Sequence, residues 1–177
     1  MTGWRTVLLK GFGFGVGFAL VCITAAGAWL WHSNRPKPPQ PWNTHAITAT
    51  YEFVTTPEGK NDIVYVYTLQ NNTNEDYRLT EGSGVDIFHR LLREKSIYRT
   101  LGEEPKIDFP VFVPASGRAT VVIDDHSEYS GQKPSDGDSK KLRANVQEFV
   151  KVKHPNLGGF VLFDQTHRYQ IELPKGW

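Results

Sequence analysis

The first part of the chain is apolar, and the remainder alternates between apolar and polar positions. Residues 11–31 contain no charged side chain, and a helix of that length is just long enough to cross a hydrocarbon layer of about 30 Å. The pattern therefore predicts a transmembrane helix over 11–31, preceded by a short cytoplasmic N-terminus at 1–10. Indole rings favour the membrane interface, and tryptophans lie near both ends of the segment: Trp4, Trp29, Trp31 and Trp42.

A cleaved signal peptide is the alternative interpretation of this segment. Ala26, Gly27 and Ala28 have the small-x-small form that a signal peptidase recognises. The apolar run is longer than the hydrophobic core of a usual signal peptide, and cleavage would leave Trp29 and Trp31 at the start of the mature chain, which favours retention. The flanking positive charges are balanced, so the short basic N-terminus decides the expected orientation. We expect a single-pass chain in the cell membrane, with the N-terminus inside and the C-terminal domain extracytoplasmic, either periplasmic or extracellular.

One face of the predicted helix carries a stripe of small residues: Gly11, Gly15, Ala19, Cys22 and Ala26. Such a stripe lets two helices approach closely in a bilayer, and one interpretation is a homodimer through this face. Glycine is also common in membrane helices for other reasons, and that alternative stays open.

Residues 32–43 form a proline-rich linker, with prolines at Pro36, Pro38, Pro39 and Pro41. Proline fixes φ and pushes the preceding residue toward extended backbone, so the linker is expected to be a semi-rigid spacer. A ligand for a proline-binding groove is the alternative.

A period of two begins at Thr44 and predicts strands in a domain spanning 44–177. The first strand has apolar side chains at every second position: Ile47, Ala49, Tyr51 and Phe53. Residues 63–69 are apolar or tyrosine at nearly every position, which predicts a central strand covered on both faces. The turn at 71–76 is rich in Asn and Asp, and we expect the strands on its two sides to pair with each other.

The later elements are predicted in this order: a strand pair at 85–92 and 96–101, a proline-containing edge strand at 107–113, a strand at 118–123, a polar loop at 124–138, a helix from Ser139 to Lys153, and a closing hairpin at 160–163 and 169–173. A short helix is the alternative for 85–92. The helix prediction rests on Ser139 as N-cap and on apolar residues at helical spacing: Leu142, Val146, Phe149 and Val150. Together these elements predict a mainly β fold, an immunoglobulin-like β-sandwich with one packed α-helix.

Charge and cysteine content narrow the function classes. Lys and Arg total 20 against 19 Asp and Glu, a balance that gives no reason to expect nucleic acid as a partner. The single cysteine, Cys22, lies in the apolar segment, so the domain has no cysteine with which to form a disulfide.

The densest group of potential metal ligands is Asp124, Asp125, His126 and Glu128, followed by Asp136 and Asp138. These oxygens could hold a calcium ion, but the ligand order of an EF-hand is missing, and an acidic loop in solvent is the favoured interpretation. Ser127 and Ser130 lie near His126 without a serine-hydrolase motif. We therefore predict no catalytic, cofactor-binding or metal-binding residue.

Two segments carry a loose resemblance: Leu69 to Thr73, which ends one predicted strand, and Phe112 to Gly117, which leads into the strand at 118–123. They resemble strand and turn elements of the small membrane-anchored immunoglobulin-like domains that bacteria export. The resemblance implies a binding or structural module and brings no catalytic residues with it. The cysteine pair of antibody-type domains is absent from 44–177.

These patterns favour a non-catalytic interaction or scaffold module of the cell envelope, anchored in the lipid bilayer through 11–31, with an envelope protein as an expected partner. The alternative is a ligand-sensing or solute-binding domain that acts through a membrane partner. Cross-strand packing accounts for the tyrosines, and a tyrosine-lined carbohydrate or peptide groove is the alternative. We expect Trp177 to dock on the domain, the alternative being a tail that binds a partner.

Overall fold

The structure is a computed structural model that describes residues 21–29, 31, 40–81, 84–91, 98–99, 104–135 and 137–177. The chain divides into two compact units, Met1–Gln40 and Pro41–Trp177. In the first unit, residues 21–29 and 31 are helical. Within the ranges that are described, no helix is both long and apolar enough to span a membrane. Most of the predicted span and linker lies outside those ranges, as does the predicted cytoplasmic segment 1–10. Of the predicted stripe of small residues, Gly11, Gly15 and Ala19 also lie outside them, whereas Cys22 and Ala26 are exposed helical residues.

The second unit is mainly β, as the alternation predicts. Its described part contains ten strands: β1 (Ile47–Thr55), β2 (Asp62–Asn71), β3 (Tyr77–Leu79), β4 (Val85–Leu91), β5 (Tyr98–Arg99), β6 (Lys106–Ile107), β7 (Val111–Val113), β8 (Arg118–Glu128), β9 (Leu157–Asp164) and β10 (Tyr169–Pro174). One helix, α1, covers Ser139–Lys153.

The strands form two four-stranded antiparallel sheets and one small ribbon. The first sheet has the order β1-β2-β8-β6, the second has the order β10-β9-β4-β5, and β3 pairs with β7. The two larger sheets pack on a shared apolar core, as in a β-sandwich; the ring of Tyr65 on β2 lies 4.9 Å from that of Phe160 on β9. The predicted central strand is confirmed, because β2 lies between β1 and β8.

One predicted pairing is wrong: β3 does not pair with β2 across the turn at 71–76. Asn71 is fully buried, and its amide nitrogen donates to the carbonyl of Glu75 at 2.8 Å and to that of Pro114 at 3.1 Å. These bonds tie the turn to the end of β7, so the chain leaves the first sheet and β3 pairs with β7 instead.

Most of the other predicted elements are present with shifted limits, but the predicted edge strand at 107–113 divides into β6 and β7, which pair in different sheets. Pro110 lies between them and has no N–H to donate to a strand partner. β4 pairs with β5, β6 lies at a sheet edge, and the closing hairpin forms from β9 and β10. The helix starts where predicted, but its N-cap is Asp138, whose carboxylate accepts from the backbone N–H groups of Lys140 and Lys141. A cap one residue earlier satisfies the same free N–H groups of the first turn. Val146 and Val150 form its buried side.

The two tryptophans at the limits of the second unit pack against it. The Trp42 ring lies 5.0 Å from the Phe163 ring, so Trp42 packs on the domain, whereas its place near the apolar segment predicts a membrane interface. Trp177 contacts Tyr51 and Tyr65, with ring centroids 5.3 and 6.1 Å away. The predicted docking of Trp177 is therefore confirmed.

Candidate functional site

Strand β8 extends past Ile123 and carries polar side chains into the interior. Residues 124–128 belong to this strand, so the prediction of a polar loop from 124 onward is wrong for them. The alternation explains the difference, because Asp125 continues the inward-facing series of Val121 and Ile123. The strand continues past the first acidic residue, Asp124, and buries Asp125.

A bulge shapes the end of β8. Asp62 pairs with Glu128 and Val64 pairs with Asp124, so β8 has more residues than β2 across this interval. His126 adopts φ of 51°, and its N–H donates to the Asp124 carboxylate at 2.9 Å. Such bulges redirect side chains, and here Asp125 and Ser127 come within hydrogen-bond distance of each other.

Four polar residues from three elements meet at this bulge: His89 of β4, Asp125 and Ser127 of β8, and His154, the C-cap residue of α1. We call them the inter-sheet cluster. The Nε2 atom of His89 forms a close contact with the Oδ1 atom of Asp125. The Ser127 hydroxyl donates to the Oδ2 atom of Asp125 at 3.2 Å, and it lies 3.5 Å from the Nε2 atom of His154.

The centre of the inter-sheet cluster is closed to solvent. The His89 and Asp125 side chains are 4% and 3% exposed, and the ring of Phe160 lies 5.4 Å from the His89 imidazole. Nearby, burial raises the pKa of Tyr65 and Tyr67 far above the ordinary value, and the Asp125 carboxylate adds to both shifts. A charged carboxylate beside a tyrosine disfavours a second negative charge. Both tyrosines therefore stay neutral.

His154 lies at the half-buried rim of the inter-sheet cluster. Burial lowers the pKa of His154, because an imidazolium loses hydration there. Asp125 opposes this shift by attracting the proton, while His89 and Lys153 add to it. The net direction is downward, which keeps His154 neutral at and above neutral pH.

The connectivity of the inter-sheet cluster differs from that of a hydrolase triad. In a triad the serine donates to a histidine, and the same histidine is held by the carboxylate. Here the Ser127 hydroxyl donates to the carboxylate itself, and that carboxylate contacts a different histidine, His89. The geometry instead joins one sheet to the other, with the end of α1 alongside.

Three of the acidic residues considered for a cation have other partners, and Glu128 is exposed at the end of β8. Asp125 contacts His89, Asp124 accepts from the backbone of His126, and Asp138 caps α1. In the part of the chain that the structure describes, no group of His, Cys, Asp and Glu could hold a metal ion. Asp136 lies outside that part.

A second carboxylate–histidine pair supports the turn between β9 and β10. The fully buried Asp164 accepts from the backbone N–H groups of Thr166 and His167, and its other oxygen lies 2.7 Å from the Nδ1 atom of His167. Burial and this carboxylate also raise the pKa of Tyr77. Together with its neighbour Tyr77, this pair stabilises a turn.

Four of the seven tyrosines lie in the core instead of lining an open groove, and Tyr51 and Tyr169 are half-buried. Tyr65, Tyr67, Tyr77 and Tyr129 are all buried, as cross-strand packing predicts.

Sequence reasoning missed His89 and His154 as members of a cluster. The available signal was the alternation in β4, where His89 follows Ile87 on the inward face. A polar residue at an inward position needs a buried partner, but the sequence alone does not give its identity. No protein-family model, curated protein or solved structure matches the chain, so the cluster is interpreted from its own geometry.

Proposed function

We propose that this chain is a non-catalytic interaction or scaffold module of the cell envelope. The observation that supports it is the inter-sheet cluster. The residues best suited to catalysis, His89 and Asp125, are closed between two sheets and hold each other. A substrate would have to separate the sheets to reach them. Such a core is best suited to a stable framework whose outer surface binds a partner.

The membrane location remains part of the proposal. Its support is the uncharged stretch 11–31 with its flanking tryptophans, which would anchor the second unit outside the cytoplasm. Within the β-sandwich class, an immunoglobulin-like arrangement is likewise proposed. It is supported by two antiparallel sheets that share one core.

A ligand-sensing or solute-binding role is the second candidate, because of a cleft of about 270 Å³ beside β4. Apolar side chains of Ile87, Ile107 and Phe109 line it, together with the acids Glu81, Asp86 and Glu104 and with Lys106. This lining favours a small ligand with an apolar body and a positive charge. A ligand of that kind would raise the melting temperature of the chain, by an amount that grows with the logarithm of its concentration above its Kd.

Photo-crosslinking in intact cells tests the leading proposal. A photoreactive residue is placed singly at exposed positions of the full chain: Thr48, Phe112 and Asn145. If the chain is an interaction module, one of these positions should give a discrete adduct between the chain and a partner protein, and the others should give none. The reason is that a defined surface contacts a defined partner.

The control is an activity screen with hydrolase substrates. We expect no turnover by the wild-type chain or by the Ser127→Ala and His154→Ala variants. Turnover that either substitution abolishes would contradict the non-catalytic proposal, even if adducts were found.

A further inference from the structure

Positive charge is concentrated on α1. The helix contains five basic side chains and one acidic side chain, whereas the whole chain carries 20 basic and 19 acidic residues. The rest of the chain is therefore slightly acidic, and α1 is a local basic surface on a nearly neutral molecule. Charge segregation of this kind attracts partners of opposite sign.

The basic side chains of α1 point away from the core. Val146 and Val150 face inward, while Lys140 and Lys141 are exposed. One side of the helix carries three of these cations. Arg143 lies three residues after Lys140, and Lys151 lies eight residues after Arg143, which at about 3.6 residues per turn places them along the same side.

Two of the cations of α1 have contacts within the protein. The Lys151 ammonium pairs with Glu148 at 2.7 Å, and the Arg143 guanidinium lies 3.5 Å from the centre of the Phe53 ring. Stacking on Phe53 fixes Arg143 in position without neutralising its charge.

A cleft continues this basic side beyond the start of α1. Its volume is about 430 Å³, and Lys133, Arg143 and Ser139 are among its lining residues. The lining includes Thr56, which is 4% exposed and whose hydroxyl has no hydrogen-bond partner among the residues that the structure describes. A buried hydroxyl without a partner is costly, and a ligand oxygen can supply that partner.

Two acids also line this cleft. Asp138 uses its carboxylate to cap α1, where the N–H groups of Lys140 and Lys141 donate to it. Glu58 is exposed at the turn between β1 and β2 and can turn toward solvent. Around the cleft and along α1 there are six cations, including Lys133, against three acids: Glu58, Asp138 and Glu148.

We propose that α1 and the adjoining cleft bind a linear polyanion, a polymer that carries phosphate groups along its length. This inference rests on the interaction role proposed above and adds a partner class to it. Lysine ammonium groups in a row match repeated phosphates as point charges. The polymer would lie along Lys140, Arg143 and Lys151, with one group entering the cleft.

A polymer fits this surface better than a membrane does. Amphipathic helices bind bilayers by burying an apolar face among the lipids, but the apolar face of α1 is occupied by the core through Val146 and Val150. Val152 is the one large apolar side chain of α1 that is exposed, at 81%, and a single valine gives little anchoring. The surface of α1 can therefore bind a partner through its positive charges, and a chain of anions is the partner that matches them.

Titration of the full chain with inorganic polyphosphate, in a non-ionic detergent, tests the proposal. We expect saturable binding that weakens steeply with salt, because counterions are released. The Lys140→Gln/Lys141→Gln variant should bind roughly tenfold more weakly, with a shallower dependence of log affinity on log salt. The matched control is Arg78→Gln/Arg118→Gln, which removes the same charge from exposed side chains away from α1 and the cleft and should bind as the wild type does.

Three results would overturn the proposal. The first is the absence of polyphosphate binding at low salt, and the second is equal weakening of binding in both double variants. The third is that phosphatidylglycerol discs, but not polyphosphate, protect Lys140 and Lys141 from an amine-acylating reagent. The last result would assign the surface to lipid. A discrete protein adduct in the crosslinking experiment together with no polyphosphate binding would leave the interaction role intact and remove only the polyanion.

Discussion

At the scale of single residues, the inter-sheet cluster replaces apolar packing with polar contacts at one point of the core. Asp125 is held by both His89 and Ser127, so its two oxygens have separate partners. A buried carboxylate is tolerated only when its oxygens are satisfied in this way. The cluster therefore specifies how the end of β8 meets β4.

His154 makes the stability of this region depend on pH. Because the pKa of His154 is lowered in the folded chain, the unfolded chain takes up its proton first as pH falls. The stabilisation is fully present above the unfolded value, about 6.5, and is lost as pH falls from there through the folded value. We expect a lower urea midpoint at pH 5.5 than at pH 7.5.

The variant His154→Gln isolates this contribution, since glutamine does not titrate. Its midpoint should fall less between the two pH values than that of the wild type. Equal falls in the two proteins would show that His154 has no part in the acid response.

At the scale of elements, Asn71 decides where β3 goes. Its amide nitrogen donates to backbone carbonyls on both sides of the β3–β7 ribbon, and its oxygen accepts from the N–H of Thr73 at 2.9 Å. Asn71→Ala would leave these buried groups unpaired, and we expect a loss of about 1–3 kcal/mol in the free energy of unfolding.

Denaturant unfolding measures this loss, and Asn72→Ala is the matched control. Asn72 is adjacent, of the same residue type and exposed, so its replacement should change stability by less than about 1 kcal/mol. Equal effects at the two positions would remove Asn71 from its role in directing the chain.

Local patterns predicted most elements, and long-range contacts decided the rest. The alternation at Tyr51 and the helical spacing of Val146 and Val150 are local signals that the structure confirms. The pairing of β3 depended on Asn71 reaching Pro114, and the site depended on His89 meeting Asp125, 36 residues away. Sequence spacing carries no information about such contacts, so it predicted a solvated loop where the structure has a buried cluster.

At the scale of the whole molecule, the last residues complete the core of the second unit. Trp177 packs on Tyr51 and Tyr65, and a side chain on Gly176 would collide with the Tyr51 ring. Deleting Gly176 and Trp177 should cost about 1–3 kcal/mol, because a large half-buried aromatic side chain is lost.

Calorimetry measures this cost as a melting temperature lower by several degrees. Trp177→Phe, which keeps an aromatic ring, should lose less than the deletion does. An unchanged melting temperature in the deletion variant would contradict docking and would favour a tail that binds a partner.

A double-mutant cycle on His89 and Asp125 tests most directly the claim that the inter-sheet cluster is a structural tie. Each single alanine variant strands a buried polar partner, so each should lose about 3–5 kcal/mol in the free energy of unfolding. The double variant should lose less than the sum of the two, with a coupling energy of about 0.5–3 kcal/mol. Additive losses, or losses under about 1 kcal/mol for the single variants, would contradict the account, because exposed or independent side chains behave in that way.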